Sequence, residues 1–417
     1  MTIKKILKDK IFINLKWLMF AEFWVRVFGI LGAIYLARTL SKGSFGKWSY
    51  AYAFLQYLMI LSDYGINSRL GVREVAKDVN KINFYFANFF SIRFLISLFS
   101  FLIFSFVFAL FYKGFMQKFL ILTIVAVIPY SLIQEWVFRG LEKMEYITLG
   151  RFFQGFTFLL FIYLLVKSDK DIFYIPLGRL VSLSVVSFIF VFLFYRMGLF
   201  QNFLKNIDIN FLRSILKVGF ILVLSSLMVK VYYNVDTIMM GIFRSMEEVG
   251  VYSALYNFVL GLVSIRNVIL GAVFPTLSRV KILPKKVFIR KIVFIEILSS
   301  SLGLIAFLVA IFFNKFWINL IYGSKYISDL SLKVFNILMV TPLIIFVDLV
   351  FPSLLITAEY EKYYFLVTSI GAGLNFILNL FFIPRYGMVG AAITTLLSEL
   401  WVLFASLYFN IKLGIIK

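Results

Sequence analysis

The stretch FYFANFFSIRFLISLFSFLIFSFVFALF, residues 84–111, carries one charged side chain, Arg93, among aromatic, aliphatic and a few uncharged polar residues. A helix at the surface of a water-soluble domain keeps a polar face opposite its apolar stripe. This one is apolar all round and longer than the roughly 20 residues that cross a bilayer. It reads as a membrane helix. Working outward, charge-poor runs bounded by charged or turn residues recur at 12–36, 45–64, 118–138, 145–166, 173–195, 214–235, 248–272, 288–313, 330–356, 362–383 and 388–410. The expected fold class is therefore all-α and integral to the membrane, with about 12 transmembrane helices. Pro129, Pro275, Pro342 and Pro352 fall within or at the ends of these runs, where a missing N–H frees a carbonyl and favours a kink.

Composition agrees. Hydrophobic residues make up 62% of the 417, whereas soluble domains run at about 45–50%. Twelve spans use about 240 residues, which leaves no room for a second folded domain outside the membrane. There is no cysteine and no histidine, so disulfides, thiolate chemistry, Cys-ligated metals and imidazole acid–base catalysis are excluded. No Walker A motif, dinucleotide turn or kinase-type loop is present. Glycosyl transfer would need carboxylates on a sizeable extramembrane loop, and the spacing of the runs leaves none. The chain does not read as an enzyme, and no cofactor or metal is expected.

The net charge of +22, from 42 Lys+Arg against 20 Asp+Glu, would suggest nucleic acid in a soluble protein. Here the basic residues collect between spans, as in the cytoplasmic loops of membrane proteins. With the N-terminus inside, one side holds Lys4, Lys5, Lys8 and Lys10, the Arg69–Lys81 loop, Arg139 and Lys143, the Arg196–Lys217 segment, the cluster Arg279, Lys281, Lys285, Lys286, Arg290 and Lys291, then Lys362, Lys412 and Lys417. That side outweighs the other two to one, which predicts cytoplasmic termini. The basic N-terminus followed by a long apolar run without a small-residue cleavage site reads as a retained first helix.

An internal repeat supports two halves. Ser41, Gly46, Ser49, Tyr52 and Phe54 recur at one constant offset as Ser245, Gly250, Ser253, Tyr256 and Phe258. Both copies join the first span of a half to its second. Six spans per half put the two copies in the same orientation, as in two-lobed transporters. The expected domains are a six-helix lobe at 1–200, a cytoplasmic connector at 201–213 and a second six-helix lobe at 214–417. The connector, QNFLKNIDINFLR, also has the composition of an interfacial amphipathic helix.

Ionisable groups at membrane depth cost about 2.5–3.5 kcal/mol on insertion scales and mark pathways. Arg26, Arg93, Arg151 and Arg179 fall in the first half; Asp236, Glu296, Asp348 and Glu399 fall in the second, with Lys230, Arg266 and Lys333 among them. A guanidinium fork suits phosphate, so arginines from different helices can converge on a diphosphate. Candidate substrate contacts are Arg26, Arg93, Arg151, Arg179 and Arg266. Candidate ion-coupling carboxylates, for H+ or Na+, are Asp236, Glu296, Asp348 and Glu399. Structural readings stand beside these. Glu22 with Arg26 and Glu135 with Arg139 are spaced as internal helix pairs. Arg151 and Arg179 lie near enough to span ends to snorkel, as do Lys16 and Lys333. Asp236 can cap a helix end, and Asn375 with Asn379 can hold helices together.

The segments Arg26–Gly29, Leu36–Ser41, Phe45–Tyr50, Asp63–Ile66 with Arg73–Ala76, Phe138–Met144, Gly250–Ser253 and Tyr386–Ala392, in that order and spacing, resemble polysaccharide repeat-unit flippases. That family belongs to the multidrug/oligosaccharidyl-lipid/polysaccharide exporter superfamily. The resemblance implies a V-shaped pair of six-helix lobes around a central cavity that opens alternately to each side of a bacterial inner membrane. It implies an undecaprenyl-diphosphate-linked oligosaccharide substrate, for O-antigen, capsule or a related polysaccharide, and cationic N-terminal-lobe residues on the headgroup, with Arg26 and Arg93 the nearest positional candidates. The partners expected are that lipid-linked oligosaccharide, membrane lipid, and a polymerase and chain-length regulator of the same pathway, with no nucleic acid. Two rival readings are a cation-coupled multidrug exporter, against which the first-half arginines weigh, and a membrane polysaccharide polymerase, against which the short loops weigh. A scaffold protein is a third, and would have no use for so many embedded charges.

Overall fold

The computed structural model describes residues 3–278 and 283–416, with side chains from residue 13 onward except Val229 and Pro275. Of the basic residues that decide the expected orientation, the side chains of Lys4, Lys5, Lys8 and Lys10, together with Arg279, Lys281 and Lys417, lie outside the described set. The described chain is all-helical, with no strand among the described residues. In chain order the helices are α1 (Ile3–Thr39), α2 (Lys42–Asp63), α3 (Gly71–Lys77), α4 (Ile82–Phe111), α5 (Gly114–Ile124), α6 (Val127–Leu132), α7 (Glu135–Gly140), α8 (Met144–Leu165), α9 (Tyr174–Arg196), α10 (Ile209–Phe243), α11 (Met246–Leu277), α12 (Lys285–Phe312), α13 (Asn314–Tyr322), α14 (Asp329–Val347), α15 (Phe351–Thr357) and α16 (Glu361–Lys412).

The burial pattern is inverted relative to a protein in water. Phe111, Phe188 and Phe312 are 77%, 74% and 78% exposed, while Asn88, Ser97, Ser182, Asn379 and Thr394 are wholly buried. Bulk hydrocarbon solvates such an apolar surface, and polar side chains then serve to join helices inside. This is a multi-pass membrane protein.

Ten helical stretches among the described residues are long and apolar enough to cross a membrane, against the twelve read from sequence. The difference has two sources. Helix α2 has 22 residues, but its first half, KGSFGKWSYAY, is too polar to qualify by hydropathy. The runs at 362–383 and 388–410 fall in the single 52-residue stretch α16, which Gly387, at φ 56° and ψ −135°, breaks within its length. Only glycine takes that conformation without steric cost.

Two expected spans are interrupted. The run at 118–138 is three short helices, α5 to α7. Pro129 cannot donate to Val125, whose carbonyl instead accepts the Ile128 N–H at 3.0 Å. The chain then extends through Ile133 and Gln134 before α7 begins. The run at 330–356 contains Pro342 and breaks at Asp348–Val350 into α14 and α15. The connector differs too, because it holds a single 3-10 turn, Leu204–Asn206, in place of an amphipathic helix. Asn202 at φ 54° turns the chain. Asp208 accepts from the N–H groups of Asn210 and Phe211 at 2.8 and 3.0 Å, which starts α10 already at Ile209. Asn88 fastens this turn by donating to the Asn206 carbonyl and accepting from the Asp208 N–H.

Contacts divide the chain into two compact units, Met1–Ser41 with Tyr50–Leu227, and Lys42–Ser49 with Met228–Lys417. The division falls inside α10. In the first unit α8 packs against both α1 and α9, and α6 lies against α4 and α9. In the second, α14 packs on α11, α12 and α16, with α15 beside α16. Within that second unit the repeat acquires a physical reason. Helices α2 and α11 start in the same register, directly after Ser41 and Ser245, and Gly46 and Gly250 are in backbone contact. A Cβ on Gly46 would collide with the Met246 carbonyl, and one on Gly250 with the Lys42 carbonyl.

Gly71 is another close approach. Its φ of −61° is ordinary helix, but a Cβ would enter the Trp136 ring system. Gly71→Ala is expected to lower stability by about 1–3 kcal/mol as an overpacked core. Gly29→Ala, where a Cβ meets nothing within 4 Å, should leave stability equal or higher. Thermal midpoints of the two variants in one detergent check this.

Candidate functional site

In the first unit, Arg93 is wholly buried. It donates through Nη1 to the Ile133 carbonyl at 2.6 Å, through Nη2 to Tyr130 at 3.4 Å, and through Nε to Ser62 at 3.2 Å. All three carbonyls belong to helix ends. Ser62 closes α2, which Tyr64 and Gly65 terminate in left-handed conformations, and Tyr130 and Ile133 border the break before α7. Carbonyls at helix ends lack intrahelical partners; of these three, the Tyr130 carbonyl also accepts the Ile133 N–H at 3.1 Å. Asn67 completes the repair, with its Oδ1 accepting the Trp136 N–H at 3.1 Å and its Nδ2 donating to Ile133. Asp63 stands 4.0 Å from Arg93. Arg93, an expected headgroup contact, here has each guanidinium nitrogen on a backbone carbonyl.

The second unit uses the same device from a different helix. Arg266 on α11 donates to the carbonyls of Ile345, Asp348 and Leu349 at 3.4, 3.2 and 3.2 Å, across the break between α14 and α15. Glu296 on α12 accepts the Val350 N–H at 3.2 Å. Glu296, Asp348 and Glu399 all lie within electrostatic reach of Arg266. Glu399 is buried beside the Tyr232 hydroxyl. Glu296 Oε2 and Asp348 Oδ1 are buried oxygens without a hydrogen-bond partner.

Arg151 forms an ion network on the first unit. It grips Glu135 with both Nε and Nη2, at 3.0 and 3.1 Å, and reaches Glu22 at 2.5 Å. Arg139 shares Glu135 at 2.9 Å, so that spacing is the internal pair expected. Glu22 pairs with Arg151 on α8 where the sequence spacing allowed Arg26. Arg26 keeps a buried Nη1 with no hydrogen-bond partner. Arg179 stacks over Tyr52 and Phe158 at 5.5 and 5.9 Å, gives one long bond to the Tyr52 hydroxyl, and keeps a buried Nε unpartnered. No hydrogen bond or ion pair joins Arg26 or Arg179 to the Glu135 network among the described residues. Of the five arginines, these two are the ones with a buried guanidinium nitrogen that has no hydrogen-bond partner.

Asp236 does not cap a helix end, since α10 continues to Phe243. It is 2% exposed and accepts from the hydroxyls of Tyr252 and Thr395 at 2.6 and 2.8 Å and from Asn379 Nδ2 at 2.6 Å. Asn379 in turn accepts from Thr394 at 2.5 Å and donates to Asn375. Asn379 joins α16 to α10 through this carboxylate, while Asn375 bonds Asn379 within α16. Sequence reasoning missed Tyr252, Thr394 and Thr395. The signal was their place, inside or just after the segments Gly250–Ser253 and Tyr386–Ala392. Oxygens of this neutral, hydroxyl- and amide-rich kind suit a hard cation, and among the described residues no group of three His, Cys, Asp or Glu forms a metal set.

If Arg93 and Arg266 hold broken helices, alanine at either strands carbonyls worth about 1–3 kcal/mol each. Arg93→Ala and Arg266→Ala should therefore cut the detergent thermal midpoint and membrane yield sharply. Arg26→Ala, with an unpartnered donor, should leave both near wild type.

Comparison with known proteins follows the fold. The family model described as polysaccharide biosynthesis protein matches residues 12–281. A protein of Escherichia coli (strain K12) named "Putative O-antigen transporter" is 23% identical over 380 residues, covering 88% of each chain. The structure is similar to that of the lipid II flippase MurJ in an inward closed conformation, with TM-score 0.74 and 15% identity over 95% of this chain and 87% of that one. It is also similar to an inward-facing multidrug resistance MATE family transporter of the MOP superfamily, with TM-score 0.66 and 13% identity over 94% and 95%. These structural likenesses concern the fold, a transporter fold of helices alone. The chain belongs to the polysaccharide biosynthesis protein family.

Proposed function

We propose that this protein translocates undecaprenyl-diphosphate-linked oligosaccharide repeat units across a bacterial inner membrane by alternating access, supplying O-antigen, capsule or a related polysaccharide. The observation that carries this is the pair of embedded arginines, Arg26 and Arg179, each with a buried guanidinium donor left without a partner. A buried unsatisfied donor on a cation is costly, and a phosphate oxygen is its natural complement. Family membership and the name of the Escherichia coli relative support a polysaccharide precursor as cargo, and the likeness to a lipid-linked-precursor flippase supports the fold for that task.

In this reading two lobes, 1–200 and 214–417, are joined by the connector at 201–213, with both termini cytoplasmic. The diphosphate and sugars enter beside the arginines while the polyprenyl tail stays in lipid. Arg151, neutralised by Glu135 and Glu22, positions helices and tunes the local charge. Asp236, with Asn375, Asn379, Thr394 and Thr395, forms the coupling site for Na+ or H+. A membrane potential negative inside also favours outward movement of the anion, by about 2.3 kcal/mol per charge per 100 mV. A polymerase and a chain-length regulator act on the product.

Deletion in the source strain should leave completed lipid-linked oligosaccharide on the cytoplasmic face and remove surface polymer. Completed units that reach the outer face unpolymerised would point to a polymerase; unchanged glycan with new drug sensitivity would point to a multidrug exporter. Arg179→Glu and Arg26→Glu should each reduce surface glycan at least tenfold at normal protein level. Full glycan from both variants would remove these arginines as headgroup contacts. Asp236→Asn should abolish ion-dependence of uptake into inverted vesicles while leaving lipid-linked substrate bound.

A further inference from the structure

Helix α12 begins with an uncompensated cluster of cations. Its opening, KKVFIRK, places Lys285, Lys286, Arg290 and Lys291 in the first two turns, and no acidic residue occurs between Glu248 and Glu296. All four side chains are exposed, and none makes a hydrogen bond or ion pair among the described residues. The preference of basic residues for one side of a membrane accounts for their presence at a helix end. It does not account for their register with the surface that follows.

That surface is a groove of about 540 Å³ running from Ile289 to Leu304, completed by Phe351 at the start of α15 and by Leu407 and Ile416 near the end of the chain. Val293, Ile297 and Leu304 are 49%, 61% and 47% exposed, so it opens along the outward face of α12. Ser300 and Ser301 line it among larger aliphatic residues, and their small side chains leave the depression. Glu296 also lines it, with one oxygen on the Val350 N–H and the other buried. The stretch covers about 22 Å along the helix axis, enough for the depth of one leaflet's hydrocarbon, about 15 Å. Steps of three or four lead from Lys286 through Ile289, Val293 and Ile297 to Ser301 and Leu304, and Arg290 stands three before Val293. Residues so spaced share a face, whereas Lys291 falls on the opposite side. Side chains on a helix lean towards its N-terminus, which carries the Lys286 and Arg290 heads past the end of the groove to headgroup level.

We propose that this face of α12 is a binding site for an anionic phospholipid, its phosphate against Lys286 and Arg290 and one acyl chain in the groove between Ile289 and Leu304. Basic groups at the membrane end of a groove between helices suit a lipid phosphate, and the apolar walls require a chain. A soluble polyanion would leave the groove empty, and a zwitterionic lipid would bring its own ammonium beside two cations. The undecaprenyl chain of the cargo proposed above is far longer than the groove. The site lies wholly on the second unit and shares no residue with the Asp236 cluster or with Arg26 and Arg179.

The test is native mass spectrometry of the full chain, delipidated in detergent and titrated with phosphatidylglycerol or phosphatidylethanolamine of identical acyl chains. The first phosphatidylglycerol is expected to bind at least tenfold more tightly than the first phosphatidylethanolamine. The double variant Lys286→Gln with Arg290→Gln should remove that preference. Ser301→Trp keeps every charge and fills the groove, and it should weaken phosphatidylglycerol binding at least tenfold; Lys291→Gln should bind as wild type. Equal affinity of the wild type for the two lipids, a preference retained by the double variant, wild-type binding by Ser301→Trp, or an equal loss in Lys291→Gln would each overturn the proposal. Displacement of the bound phosphatidylglycerol by equimolar undecaprenyl phosphate would assign the groove to the carrier lipid and overturn it as well.

Discussion

The constraint on which the rest depends is that a broken helix inside a bilayer must find partners for its backbone from within the protein. Water is not there to supply them, and each orphaned group costs several kcal/mol in hydrocarbon. This chain breaks helices at Gln134 and at Asp348–Val350. It answers each break with the same pair of tools, an arginine for the free carbonyls and a side-chain oxygen for the free N–H. Arg93 and Asn67 serve the first break, Arg266 and Glu296 the second. The two arginines come from α4 and α11, which are not equivalent by order in the two halves, so the devices share physics and not position.

A guanidinium suits this task because its fork of donors reaches several carbonyls at once and keeps its charge even when desolvated. The embedded arginines therefore divide by their contacts. Arg93, Arg151 and Arg266 have every guanidinium nitrogen engaged by backbone, amide or carboxylate oxygens, whereas Arg26 and Arg179 each keep a buried nitrogen without a hydrogen-bond partner, and these two are the ones the proposed function assigns to an anion. A similar division runs through the acids. Asp236 has its oxygens taken by Tyr252, Thr395 and Asn379, whereas Glu296 and Asp348 each retain a bare oxygen.

Much of the fold was legible in the sequence, since a run such as 84–111 leaves a single physical solution. Elsewhere hydropathy averaged over features that matter. It read one span at 118–138, where Pro129 and an extended pair at 133–134 make three short helices. It read an amphipathic helix as one form of 201–213, where Asp208 and Asn88 capture the backbone first. The repeat between Ser41–Phe54 and Ser245–Phe258 was visible as matched letters, but its cause, two glycines in backbone contact, was not. The candidate site was legible in residue type, and the roles were not. Glu22 could pair at i+4 with Arg26 by spacing, yet it pairs with Arg151, more than a hundred positions away, because α8 packs on α1.

Sequence by itself determined that this is an all-helical membrane protein, without thiol or imidazole chemistry and with charges buried where lipid should be. Composition and periodicity report the solvent a segment needs, and that is a local property. Only the tertiary structure decided which of those charges are free. A guanidinium's partners are set by which helix ends meet it in space, and carbonyls freed at Ser62, Ile133 or Leu349 leave no mark in the identity of those residues.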